Sequence, residues 1–153
     1  MKTRIVLKFS AVQIPRSPIL YLCLLCCGCS GQAQLAEERQ AGQSAYDDGV
    51  SQFDSGQYEE AAASFETALG GVLEPDLIFP AARLRALSLA KTDRVDEALQ
   101  VLRENEQGAS GPEAITLARA EVYASAGRRE LAKQEYAAVK KMNARFQIPA
   151  EYR

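Results

Sequence analysis

Histidine is absent from this chain, and its four cysteines all lie between Cys23 and Cys29. The first absence removes Ser–His and Cys–His nucleophiles and zinc sites of the HExxH kind. The second leaves no later thiol pair to complete a metal site begun by the cysteines. A P-loop, a GxGxxG turn and a nucleophile elbow are also missing. Glycine and proline number 10 and 6, and they do not gather into a linker that would divide the chain. β-Branched residues are sparse, and no run alternates apolar with polar over a strand's length. The acidic pairs Asp47/Asp48 and Glu59/Glu60 are sequence neighbours, which point to different sides of a helix instead of converging as a dyad. From this inventory no enzyme activity, catalytic residue, metal, cofactor or small-molecule substrate is expected.

The cysteines could give a C-x2-C-C-x-C metal run or an address. Their surroundings, ILYLCLLCCGC over 19–29, carry no turn-forming polar residues to fold around an ion. They carry what an export signal needs: Lys2, Arg4, Lys8 and Arg16 are basic, and no acid occurs before Glu37. An apolar core of about ten residues follows, within the length of a signal core and too short to span a bilayer. Pro15 and Pro18 prevent Ile5–Phe9 from extending that core into one helix. Its ending, Cys27-Gly28-Cys29-Ser30, resembles the lipobox of bacterial lipoproteins. The resemblance implies cleavage after Gly28 and acylation of Cys29, although Cys26 stands three places before it where that family favours leucine. Cys27 as acceptor fits worse, with Cys26 immediately before it. An ordinarily cleaved or uncleaved signal is the alternative. Two or more acyl chains give stable attachment where one gives marginal binding. Ser30 lacks the aspartate that retains such proteins in the enterobacterial inner membrane, so the resemblance favours the outer one. Extended, Ser30–Gln34 would reach less than about 20 Å, keeping the module near the membrane surface.

The full chain has 18 basic and 20 acidic residues. Loss of the four signal bases leaves 14 against 20, a formal charge of −6, which excludes a nucleic-acid-binding balance. Asp47–Asp76 contains eight acids and no base, whereas Arg119–Arg153 contains eight bases and four acids. These read as solvated helix faces, with an acidic patch that steers a basic partner as the alternative.

About 125 residues remain for one small domain, rich in the good helix formers Ala, Leu, Glu, Gln and Arg. Three stretches align: GQYEEAAASFETAL (56–69), DRVDEALQVLRENE (93–106) and GRRELAKQEYAAVK (127–140). Each opens on a turn residue, Gly56, Asp93 or Gly127. A small residue follows five places on (Ala61, Ala98, Ala132), and a large one four beyond it (Phe65, Leu102, Tyr136). The offsets are 37 and 34 residues, and a 34-residue helix–turn–helix period resembles the tetratricopeptide repeat. Repeat one matches that pattern at Gly49, Phe53, Gly56, Tyr58, Ala61, Phe65 and Ala68. Repeat two matches at Ala86, Leu89, Asp93, Val95, Ala98 and Leu102 and departs at Asn105. Repeat three matches at Ala120, Tyr123, Gly127, Ala132, Tyr136 and Val139 and departs at Arg129. Pro75 and Pro112 stand for the closing proline.

The expected fold is therefore all-α, an α-α superhelix (solenoid) of three such repeats. A signal spans 1–28, and a lipid-anchored tether with the start of the first helix spans 29–41. Repeats span about 42–78, 79–112 and 113–146, and a tail spans 147–153. Gly49, Ala61, Phe65, Ala98, Leu102, Ala132 and Tyr136 should be core, and the second helix of repeat three, ending in KKMNAR (140–145), should cap the array together with the tail. Ser110-x-x-Glu113 reads as a capping box.

The resemblance implies a concave groove, lined by the first helix of each repeat, in which a protein or peptide segment docks. Its expected contacts are Tyr46, Val50, Phe53, Arg83, Leu87, Lys91, Leu117 and Glu121. The carboxylate clamp of some chaperone-binding members is missing, because Tyr46 and Val50 occupy its places. The implied function is a membrane-anchored scaffold or adaptor on the periplasmic side of a bacterial envelope. It would support a pilus, secretion or outer-membrane assembly. A holdase or regulator that binds exported proteins transiently is the alternative, and a non-catalytic subunit of an enzyme is a third class.

Overall fold

Three chain reversals follow one hydrogen-bonding scheme. The residues at their tips, Gly56, Asp93 and Gly127, have φ of +77°, +61° and +70°. The next amide in each case reaches back five residues: Gln57 N to Gln52 O (2.9 Å), Arg94 N to Leu89 O (2.9 Å) and Arg128 N to Tyr123 O (2.8 Å). These bonds satisfy carbonyls that a helix end would otherwise leave unpaired. Glycine adopts the left-handed conformation without steric cost. Asp93 is the exception, one that a short polar side chain tolerates better than most.

The computed structural model describes residues 29–153, so the expected signal and Cys23, Cys26 and Cys27 lie outside the described residues. Six α-helices follow in order: α1 (Cys29–Asp54), α2 (Tyr58–Gly70), α3 (Pro75–Lys91), α4 (Val95–Glu104), α5 (Pro112–Ser125) and α6 (Arg129–Met142). Two 3-10 turns, Glu106–Gly108 and Ala150–Tyr152, complete them, and no strand occurs among the described residues. The protein is all-α. Leu35–Arg153 forms one compact unit. Within it α2 packs on α3, α3 on α4 and α5 on α6, while α5 also touches α3 and α4. None of the described helices is long and apolar enough to cross a membrane.

The core is built from small residues facing large ones. Ala61, Ala98 and Ala132 are fully buried, as is Phe65, and Leu102 and Tyr136 are nearly so. Gly49 is buried because a Cβ there would lie 2.9 Å from Phe65 Cδ1 and Cε1. Only a hydrogen lets α1 approach α2 that closely. The seven residues expected in the core are all buried.

Three local expectations are corrected. Ser30–Gln34 is not extended but helical, because Ala, Gln, Leu and Glu carry α1 back to Cys29. At 1.5 Å per residue those five positions span only about 7.5 Å. Pro75 and Pro112, expected after the end of a helix, are each the first residue of the next one, where the missing N–H costs nothing. Helix α3 consequently begins four residues before the expected boundary at 79, and Pro80 falls inside it. The capping box does not form. Gly111 takes the N-cap position with φ +154°, which leaves Glu113 one place short of the reciprocal position. Its carboxylate accepts from Asn143 Nδ2 at 2.8 Å instead, tying α5 to the end of α6.

Candidate functional site

Equivalent positions on the first helix of each pair have different tasks. On α3, Ala81 and Leu84 pack towards Ala61 and Phe65, and Ser88 is fully buried, its hydroxyl donating to the Leu84 carbonyl at 2.9 Å. On α5, 34 residues later, Ile115, Ala118 and Val122 pack against the α3–α4 cluster. On α1, 37 residues before α3, the same stripe is Ser44, Asp47 and Ser51, all exposed. The apolar stripe that joins one pair to the preceding one is thus polar on α1. Beside it Tyr46, Asp47, Val50, Ser51, Asp54 and Ser55 line a cavity of about 670 Å³.

The eight expected groove residues separate into distinct environments. Tyr46 and Val50 share the α1 cavity, half-buried, with the Tyr46 ring edge-on to Phe65 at 5.8 Å. Phe53 is mainly a packing residue: it contacts both neighbouring clusters and meets Tyr58 edge-on at 5.5 Å. Lys91 is exposed, its ammonium 5.8 Å from the centre of the same Tyr58 ring. Leu87 is only 9% exposed, in the cluster that holds Ala118 and Val122 of α5, and offers a partner little surface. Leu117 is half-buried and lines a separate cavity of about 510 Å³ with Ser110, Pro112, Glu113 and Met142.

Arg83 and Glu121 are brought together and bind each other. Arg83 Nε and Nη2 donate to Glu121 Oε2 and Oε1 at 2.5 and 2.7 Å, linking α3 to α5. Hydrogen bonding to Glu121 holds the guanidinium above its ordinary pKa, against the opposing effect of burial. Burial, reinforced by the Glu121 carboxylate, likewise pushes the nearby Tyr136 hydroxyl upward. Two further pairs repeat the theme between adjacent helices: Arg85–Glu66 at 2.7 Å and Arg119–Glu135 at 2.8 Å. What remains accessible is a set of half-buried apolar patches with carboxylates at the α1 end.

Several participants were not singled out as site residues by the sequence pattern. Met142, 54% exposed, and the Ser110–Ala114 turn line the cavity beside Leu117. Phe146, Ile148 and Tyr152 pack against the cluster formed by Ala120, Ala132 and Tyr136. The tail was expected to cap the array, but its individual contacts were not legible in the sequence. Among the described residues no group of side chains is arranged to hold a metal ion. No known protein family, curated protein or solved structure matches the chain.

Proposed function

We propose that this chain is a lipid-anchored array of three tetratricopeptide repeats that holds a protein partner at the periplasmic face of a bacterial membrane. The observation that carries the repeat reading is the triplicated turn. Tips at Gly56, Asp93 and Gly127 share a left-handed conformation and one five-residue back-bond, and each precedes a buried alanine and a buried large residue. Random helical packing would not reproduce that sequence of events at offsets of 37 and 34 residues. The anchor reading rests on Gly28-Cys29 after a basic, then apolar, leader.

In this reading the partner segment lies along α1, α3 and α5. Tyr46, Val50 and Leu117 supply apolar contacts, and exposed Asp54 and Lys91 supply charged ones. The role is that of a scaffold or adaptor in an envelope assembly; the chain would contribute position and no chemistry. The outer membrane is favoured by Ser30.

Crosslinked co-purification from membranes tests it, comparing wild type with the exposed-site variant Asp54→Lys/Lys91→Glu and with Cys29→Ser. One dominant partner, lost from the charge variant while its circular dichroism is unchanged, supports a scaffold acting through this face. Release of Cys29→Ser into the soluble fraction supports the anchor. A diffuse set of exported proteins would favour the holdase instead.

A further inference from the structure

The large residue of the third pair, Tyr136, is covered differently from its counterparts. Phe65 is packed by Ala81 of α3, and Leu102 shares its cluster with Ala118 and Val122 of α5. Over Tyr136 lies segment 146–153, which apart from the 3-10 turn Ala150–Tyr152 has no regular structure. The rings of Phe146 and Tyr152 approach Tyr136 at 6.2 and 5.1 Å between centroids, the first stacked at 14°.

The hydrogen bonds from α6 to this segment all go to its backbone or to the turn leading into it. Lys140 Nζ donates to the carbonyls of Ala144 (2.5 Å) and Phe146 (2.6 Å), and Arg129 Nη2 donates to the carbonyl of Glu151 (2.6 Å). Within the segment, Arg153 Nε donates to the Ile148 carbonyl at 3.0 Å. Aromatic anchors in side-chain contact, with cations capturing main-chain carbonyls, is the way a surface holds an extended peptide. Those carbonyls are present in any sequence; the selectivity lies in the anchors.

We propose that the α5–α6 face around Tyr136 is a peptide-docking surface whose resident occupant is segment 146–153. It exchanges that segment for a partner segment of the same chemistry: two aromatic anchors flanking an aliphatic–proline turn. Leu117 borders both this surface and the α5 contacts of the scaffold reading, but Tyr136, Phe146 and Tyr152 belong to this surface alone, so either reading can fail without the other.

The test uses the full-length chain and a fluorescein-labelled peptide of residues 145–153, RFQIPAEYR. Phe146→Ala/Tyr152→Ala releases the resident segment. An attached occupant competes at an effective concentration around millimolar, so the released variant should bind the peptide at least about tenfold more tightly than wild type. Adding Tyr136→Ala should abolish that gain. A folded released variant that binds no better than wild type overturns the proposal. If the variant does not fold, hydrogen exchange on wild type decides. The Phe146 and Tyr152 amides, bonded to the Asn143 and Pro149 carbonyls, should exchange by local opening at least about 100-fold faster than those of α5 and α6. Exchange at the common global rate makes the segment an inseparable part of the core and sinks the idea.

Discussion

Arg83 and Glu121, 38 residues apart in sequence, form a two-pronged ion pair across α3 and α5. Side-chain exposures of 40% and 23% place it at the edge of the core. Each had the look of a free partner contact; paired, they fasten one helix pair to the next and present little net charge. Arg83→Ala should cost about 1 kcal/mol, a partly screened pair plus a half-buried carboxylate left without its donor. Arg83→Lys should recover less than half, because an ammonium cannot reproduce the fork. Urea unfolding of both variants, completed as a cycle with Glu121→Gln, reads the coupling directly. Strict additivity would mean the pair contributes nothing.

Glycines along α1 should respond to the same change with opposite signs, according to whether they face the packing or solvent. Gly49→Ala drives a methyl into the buried Phe65 ring and should cost about 1–3 kcal/mol. Gly42→Ala would bring Cβ to 2.7 Å from the Val72 carbonyl oxygen, so backbone has to move, and a similar cost is expected. Gly31, in the same helix, has nothing within 4 Å of a Cβ. Gly31→Ala should stabilise, by up to about 1 kcal/mol, through helix propensity alone. Thermal unfolding of the three variants side by side would refute the packing account if all moved alike.

What could be read from the chain was whatever repeats within it. Ala61, Ala98 and Ala132, with Phe65, Leu102 and Tyr136, recur at fixed separation from a turn residue, and all six are buried. Element starts were less legible, because proline carries two meanings: Pro75 and Pro112 end one run and begin another, and only the backbone decides. The capping box failed by a single residue, since Gly111 took the N-cap that Ser110 was expected to hold. Site residues were the least legible. Leu87 is covered by α5, whereas Leu117 stays half-buried between the 110–114 turn and the Tyr136 cluster. Pairing of Arg83 with Glu121 depends on contacts between successive helix pairs, which no pattern within one pair encodes.

Alkaline pH should reveal Tyr136. Burial raises its pKa in the folded protein, so the fold favours the neutral phenol. The associated stability is fully present below the unfolded tyrosine value of about 10 and is lost as pH rises from there through the folded pKa. Wild type should therefore lose thermal stability above about pH 10 more steeply than Tyr136→Phe, which has no proton to release there. Parallel melting curves for the two proteins between pH 9 and 11 would show that Tyr136 is not linked to folding.

The three turn tips offer a test in which the same left-handed backbone region meets different side chains. Asp93 holds φ +61°, where a Cβ is unfavourable, and its exposed carboxylate lies 3.6 Å from Arg128 Nη2, an exposed pairing of small worth. Removing the Cβ should outweigh losing that contact, so Asp93→Gly should raise stability by up to about 1 kcal/mol. Gly56→Ala and Gly127→Ala introduce the penalty that Asp93 already bears, with nothing within 4 Å of the new methyl to clash. Each should cost about 1–2 kcal/mol from backbone conformation alone. Denaturant midpoints moving upward for Asp93→Gly and downward for both alanine variants would tie the triplicated turn to one backbone requirement. A loss of stability in Asp93→Gly would show instead that the carboxylate, and not the left-handed geometry, governs the second turn.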